Sequence, residues 1–339
     1  MSISSQFFKR GCDFLGSDLP FLCGGMTWVS DPTLVAAVSN AGGFAALACG
    51  NAPVEVIEQQ ISDTRDLTSR PFAVNLITLS PLFKEQLAAA CRANVTHIVL
   101  AGGLPRPDAI AAAKASGAKV LCFAAADSIA KIMVKNGTDA LIIEGMESGG
   151  HIGVVTTTIL IQEILFQYAE QLPVFVAGGI ATGRLAAHLF MMGAAGIQFG
   201  TLFAMSQESC AHPALKKAYA EAAGRDAVAT PILDNRFVVP SVRALKNKGL
   251  EEFTRLQLDL IPKLDSGAVT KIEAAHQLEN FWMGALRRAV LEGDTERGSM
   301  MAGQSVGLLH DSLPCTDILA RLSSDTEAEL ARVKALLDA

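Results

Sequence analysis

VFVAGGIATG at residues 174–183, followed by GIQFGTLF at 196–203, decides the fold. Each stretch opens with an apolar run of strand length and breaks at glycine, at Gly178 and Gly179 in the first and at Gly200 in the second. Six earlier apolar runs of strand length, at 21–26, 43–49, 72–77, 97–102, 119–124 and 140–145, have Gly, Asn or another small residue at or near their ends. Between them lie helical patterns such as PTLVAAVSNAG, VEVIEQQISDTRDLT and DSIAKIMVKNG, which start on Asp, Ser or Pro and finish on Gly or Asn. Strands alternating with helices predict a parallel sheet covered on its outer face, and eight such units close a TIM (β/α)8 barrel. An open doubly wound sheet is the competing architecture. It is weakened because no GxGxxG sits between the first strand and helix.

The chain has 339 residues, enough for a barrel of roughly 250 plus an appendage. The expected divisions are a barrel over 1–204, a helical cap over 205–290 and a C-terminal segment over 291–339 that packs back on the barrel. The cap region shows no convincing strand and helix alternation but carries helical stretches such as PALKKAYAEAAG and KIEAAHQLENFWMGALRRAVLEG. From Thr316 an amphipathic pattern predicts a helix that docks on the barrel.

Half the residues are hydrophobic, aromatics are 6% and the net charge is −6, so no general attraction to nucleic acid or anionic lipid is expected. Seven scattered cysteines, without CxxC spacing, read as reduced thiols, and no metal site is expected. With no span of membrane length and no signal-peptide layout in MSISSQFFKRGCDFLG, a cytoplasmic location is expected.

Barrel active sites sit at the C-terminal strand ends, which gives three places weight. Gly178, Gly179 and Gly200 let backbone N–H groups approach an anion on two consecutive strands, which reads as a phosphate site. Tight turns are the plainer alternative. EGMESGGHIG at 144–153 sets His151 among glycines just after the sixth run, where imidazole can reach a ligand and move a proton. The other histidines, His97, His188, His212, His276 and His310, read as structural. GSMMAGQSVGLL at 298–309 reads on its own as core packing. Asn75 and Met26 also fall at strand ends, where Asn75 suits either a ring edge or a turn.

At these motifs the chain resembles the nitronate monooxygenase-like FMN oxidoreductases, and within them the flavin-dependent enoyl-acyl-carrier-protein reductases. PFLCGGMTWVSD, GNAP, PFAVNLITLSP, IIEGMESGGHIG with its threonines, VFVAGGIATG, IQFGT and GSMMAGQSVGLL carry the resemblance, from about 21 to 309. It implies non-covalent FMN, with NADH or NADPH as cosubstrate and an enoyl thioester, carried by acyl carrier protein, as substrate. Cofactor contacts are implied at Gly25, Met26, Asn75, Gly150, Gly178, Gly179, Gln198, Gly200 and Thr201, with Met301 and Gln304 returning to the site. His151 falls on the catalytic histidine. A homodimer is the family expectation. Nitronate oxidation with oxygen and NAD(P)H:quinone reduction are the competing activities, and a flavin- or phosphate-binding module without turnover is the reading from another class. Cys23 and the Ala48-Cys49 pair depart from the family pattern, and the Cys49 thiol is expected to tune or sensitise the site. Carrier docking would need a basic patch on this acidic protein, with Arg243, Lys246 and Lys248 one candidate and Arg287-Arg288 another.

Overall fold

The structure, a computed structural model, describes residues 3–338. Eight parallel strands, Phe21–Cys23, Phe44–Ala48, Ala73–Ile77, His97–Ala101, Lys119–Ala124, Ala140–Glu144, Val174–Ala177 and Gly196–Phe199, form a closed barrel in chain order. Closure comes from the first strand pairing with the eighth, Leu22 opposite Gln198, which rules out the open sheet. The TIM barrel is therefore the fold. Helices cover its outer face, and the ends are well signalled: Asp31 caps Pro32–Asn40 and Thr182 caps Gly183–Met191, each side-chain oxygen accepting a backbone N–H of the first turn.

Alternation along each strand sorts side chains between two cores. Ile98, Leu100, Leu141, Ile143, Val174 and Val176 face the helices, while Val99, Ile142 and Phe175 point into the barrel. The first helix, Ile3–Leu15, brings Leu15 and Phe14 against that interior and stoppers its N-terminal end. His97 sits in the same plug, its ring edge-on to Phe44 at 4.9 Å and its Nε2–H donating to the Phe14 carbonyl at 3.0 Å.

Burial pulls the His97 imidazole from 6.5 down to about 4, with the nearby Lys119 charge adding to it. The folded state thus prefers the neutral ring. That preference is complete above pH 6.5 and is lost as pH falls toward 4, a span worth about 3 kcal/mol. Urea midpoints measured from pH 7 to 5 should fall in the native chain and fall less in His97→Gln.

The C-terminal helix, Cys315–Leu337, docks on Gly183–Met191. Thr326 Oγ1 donates to the Gly183 carbonyl at 3.0 Å, and Glu329 gathers Arg184, His188 and Arg332. The Arg332 guanidinium, with His188 and Arg184, holds the Glu329 carboxyl down at about 2.

Between barrel and C-terminal helix the chain is more than helical. A strand at Gly150–Ile152, which interrupts the sixth βα loop, joins Ser241–Leu245 and Ala227–Ala229 in a three-stranded antiparallel sheet. Two long helices, Lys248–Asp265 and Lys271–Arg287, close over it around Val242, Phe253, Leu278 and Trp282. No helix among the described residues is long and apolar enough to cross a membrane.

Candidate active site at the barrel mouth

At the open end of the barrel the inward side chains turn polar. One register row runs Glu144, Ala177, Gln198 across the last three strands, directly above Ile142 and Phe175. Small Ala177 leaves space between its two polar neighbours. Burial pushes the Glu144 carboxyl up to about 7, against the Ser148 hydroxyl and the His151 charge, which favour ionisation. A raised carboxyl penalises the folded chain when ionised. The cost is absent below pH 4.5 and grows as pH rises through 7. Glu144→Gln should therefore stabilise the chain most above pH 7, and equal urea midpoints at pH 8 for variant and parent would contradict this environment.

Around this row the strand-end residues singled out in the sequence meet. Gly25 lies against Asn75, so that a Cβ there would come within 2.5 Å of the Asn75 Cβ, and Gly24 lies against the Gln198 amide. Asn75 and Gln198 are buried. Met26 Sδ approaches Gly200, and Thr201 Oγ1 accepts from Gly303 N at 3.0 Å. The 298–309 segment, which reads as plain packing from its residues alone, lies against these strand ends. Met301 Sδ lies beside Gly150, and the Gln304 N–H donates to the Glu147 carbonyl at 2.9 Å. The Gln304 side chain is exposed, so its contribution here is through the backbone.

Two glycines are required by these contacts. Gly178 has φ +94, and a Cβ there would meet the Gly145 backbone at 2.8 Å. Gly149 has no room either, with the Ala302 carbonyl carbon 2.5 Å from a Cβ position. The N–H groups of Gly179 and Gly200 donate to no protein acceptor among the described residues, and the helix Gly183–Met191 starts just beyond the first. Such donors at consecutive strand ends suit an anion. Gly149→Val should prise the 144–153 loop from the 298–309 segment, weakening binding of a phosphorylated ligand at least tenfold by fluorescence titration.

The loop that carries His151 is held from three sides. Its strand pairs His151 with Val242 and Gly150 with Arg243. Arg243 donates to the Met146 carbonyl at 3.1 and 2.9 Å and to the Ala227 carbonyl at 2.6 Å. Glu147 accepts from Thr157 N at 3.0 Å, and Thr157 Oγ1 lies 3.0 Å from both Glu147 Oε2 and the Gly178 carbonyl. On this frame the His151 ring stands exposed, its Nε2 3.2 Å from Glu279 Oε2.

Two sequence expectations are corrected here. Arg243 is not part of a basic surface: it is buried at 4% exposure and spent on carbonyls. Lys248 pairs with Glu296, and Arg287 and Arg288 pair with Glu292 and Asp294, so neither candidate patch is a free cationic cluster. Cys49 is buried, and burial pushes its thiol up to about 12, which leaves no thiolate to react near neutral pH. Sequence reasoning missed Glu144, Glu147 and Glu279, and placed Arg243 on the surface. Only Glu144 had a signal, since alternation from Ile142 points it inward.

Glycine N–H groups without a protein acceptor among the described residues and an exposed histidine lie in the loops at the open end of a closed barrel, the arrangement of a barrel enzyme. The chain belongs to the nitronate monooxygenase family, whose pattern matches residues 10–325, and it is an oxidoreductase. It is 30% identical to a (3aS,4S,5R,7aS)-5-hydroxy-7a-methyl-1-oxo-octahydro-1H-indene-4-carboxyl-CoA dehydrogenase of Rhodococcus jostii, over 96% of each chain. The solved structure of FabK from Thermotoga maritima is similar at a TM-score of 0.85 and 35% identity, covering 96% of this chain and 98% of that one. A nitroalkane oxidase from Streptomyces ansochromogenes is similar at 0.77 and 26%, covering 95% and 98%.

Proposed function

We propose that the chain is an FMN-dependent reductase of trans-2-enoyl thioesters that draws its electrons from NADH or NADPH. The observation that carries the reading is the junction of the GMESGGHIG loop with the MAGQ segment, where Gly149 packs on Ala302 and Gly150 on Met301, next to His151 in the chain. Identity to FabK, and to a relative named for a carboxyl-CoA substrate, supports a thioester over a nitronate.

The residues fit FMN. Gly179 and Gly200 would hold its phosphate through N–H groups that have no protein acceptor among the described residues, with Gly178 and Thr201 beside them, and Asn75, Gln198, Gly25 and Met26 would meet the ring edge. Gly150 and Met301 would bound the opposite side, with Gln304 fixing that segment through its backbone. Bound FMN would supply the hydride-transfer centre. The chain's own part is to orient the thioester over the mouth and to manage charge and protons. Reduction at the β-carbon leaves enolate charge on the thioester oxygen and an α-carbon that needs a proton. His151 is the proton donor. Acyl carrier protein is the proposed carrier, a partner that gains no support from the Arg243 cluster.

The test is anaerobic reduction of the flavin-loaded protein with NADH or NADPH, followed by a short trans-2-enoyl thioester or by oxygen with a nitronate. Fast reoxidation by the thioester with saturated product supports the reading. Nitronate consumed with oxygen and without NAD(P)H, and no response to thioester, would replace it by the monooxygenase.

A further inference from the structure

The hydrogen bond between His151 and Glu279 joins residues 128 positions apart, and both ends are mounted on one small core. His151 is fixed through its pairing with Val242, which is fully buried among Phe253, Leu278 and Trp282. Glu279 rides on the helix Lys271–Arg287, whose buried face presents Leu278 and Trp282 to that same cluster. The helix start is locked by a reciprocal box in which Thr270 and Glu273 cap one another's backbone. Neither partner needs to be ordered when the bond forms.

We propose that Glu279 is a positioning residue that selects which nitrogen of His151 faces the substrate. An ionised carboxylate only accepts, so a bond to it fixes a proton on Nε2 and leaves Nδ1 as the working nitrogen. Burial raises the Glu279 carboxyl, but the hydrogen bond and charge of His151 outweigh it and hold the group below its ordinary value, so it is ionised at neutral pH.

This inference rests on the reading of His151 as proton donor, and it makes the step economical. In the imidazolium both nitrogens carry hydrogen. The Nδ1–H bond breaks as the enolate electron pair forms the new α-carbon C–H bond, and the ring is left neutral with its remaining proton on Nε2. That is the tautomer Glu279 already holds, so the ring neither turns nor exchanges protons internally before solvent reloads Nδ1.

The test compares the full-length, flavin-loaded parent with Glu279→Gln, a near-isosteric change on a partly exposed helix face. A glutamine offers oxygen or NH2 to Nε2 with similar ease, so it no longer dictates the tautomer. Imidazole nitrogen NMR at high pH, where the ring is neutral, should show a single Nε2–H form for His151 in the parent and a mixture in the variant. Turnover should fall about 10–100-fold, the size found for outer partners of metal-bound histidines, with KM for the thioester and flavin affinity unchanged. An unmixed tautomer in Glu279→Gln would overturn the proposal. The NMR result does not depend on which reaction the site performs, whereas full activity of His151→Ala would remove the functional reading instead.

Discussion

Replacing His151 by alanine is expected to cut turnover of an enoyl thioester by about 10²–10⁴-fold, the usual worth of a positioned acid or base, while leaving flavin bound. The separation follows from geometry. His151 stands on the strand Gly150–Ile152, whereas the proposed anion cradle uses the backbone of Gly178, Gly179 and Gly200. Deleting an exposed imidazole leaves the cradle, the Arg243 anchor and the Glu147–Thr157 clasp in place. Stopped-flow reoxidation of the reduced, NAD(P)H-treated variant isolates the thioester step. A rate equal to the parent's would show that the proton comes from elsewhere.

Arg243→Met is expected to cost about 2–5 kcal/mol, from two carbonyls that lose buried donors and one carboxylate that loses its counter-charge. The arginine satisfies Met146 and Ala227 at once, with the Glu147 charge close enough to support its protonation against burial. Methionine fills a similar volume but donates nothing. Because Arg243 lies opposite Gly150 in the ladder, the damage should centre on the His151 loop: amide exchange at 146–152 should quicken far more than in the barrel strands. A variant with the parent's urea midpoint and exchange pattern would contradict the anchoring role.

The barrel was legible because each unit carries its own signal. All eight strands lie within the runs read from sequence, trimmed at their C-terminal ends where glycines such as Gly178 and Gly179 belong to loops. The small sheet was not legible. Gly150–Ile152 is three residues long, and its partner strand is about ninety residues further on, so no local pattern announces the pairing. VRALKNK looked like an exposed basic run because a sequence cannot show that Met146 and Ala227 need donors. Likewise nothing in the spacing of Glu279 ties it to His151, since the bond exists only once both have docked on the Val242 core.

The plug of Phe14, Phe44, His97 and Phe175 fills the N-terminal end of the barrel and leaves, among the described residues, the strand-end mouth as its doorway. Two large reactants that must both reach a centre at that doorway cannot queue from opposite sides, and so they take turns. On the proposed activity, initial rates against NAD(P)H at several thioester concentrations should give parallel double-reciprocal lines, and each reactant in excess should inhibit by occupying the other's place. The same stopper that stabilises the fold would then set the order of events in the reaction.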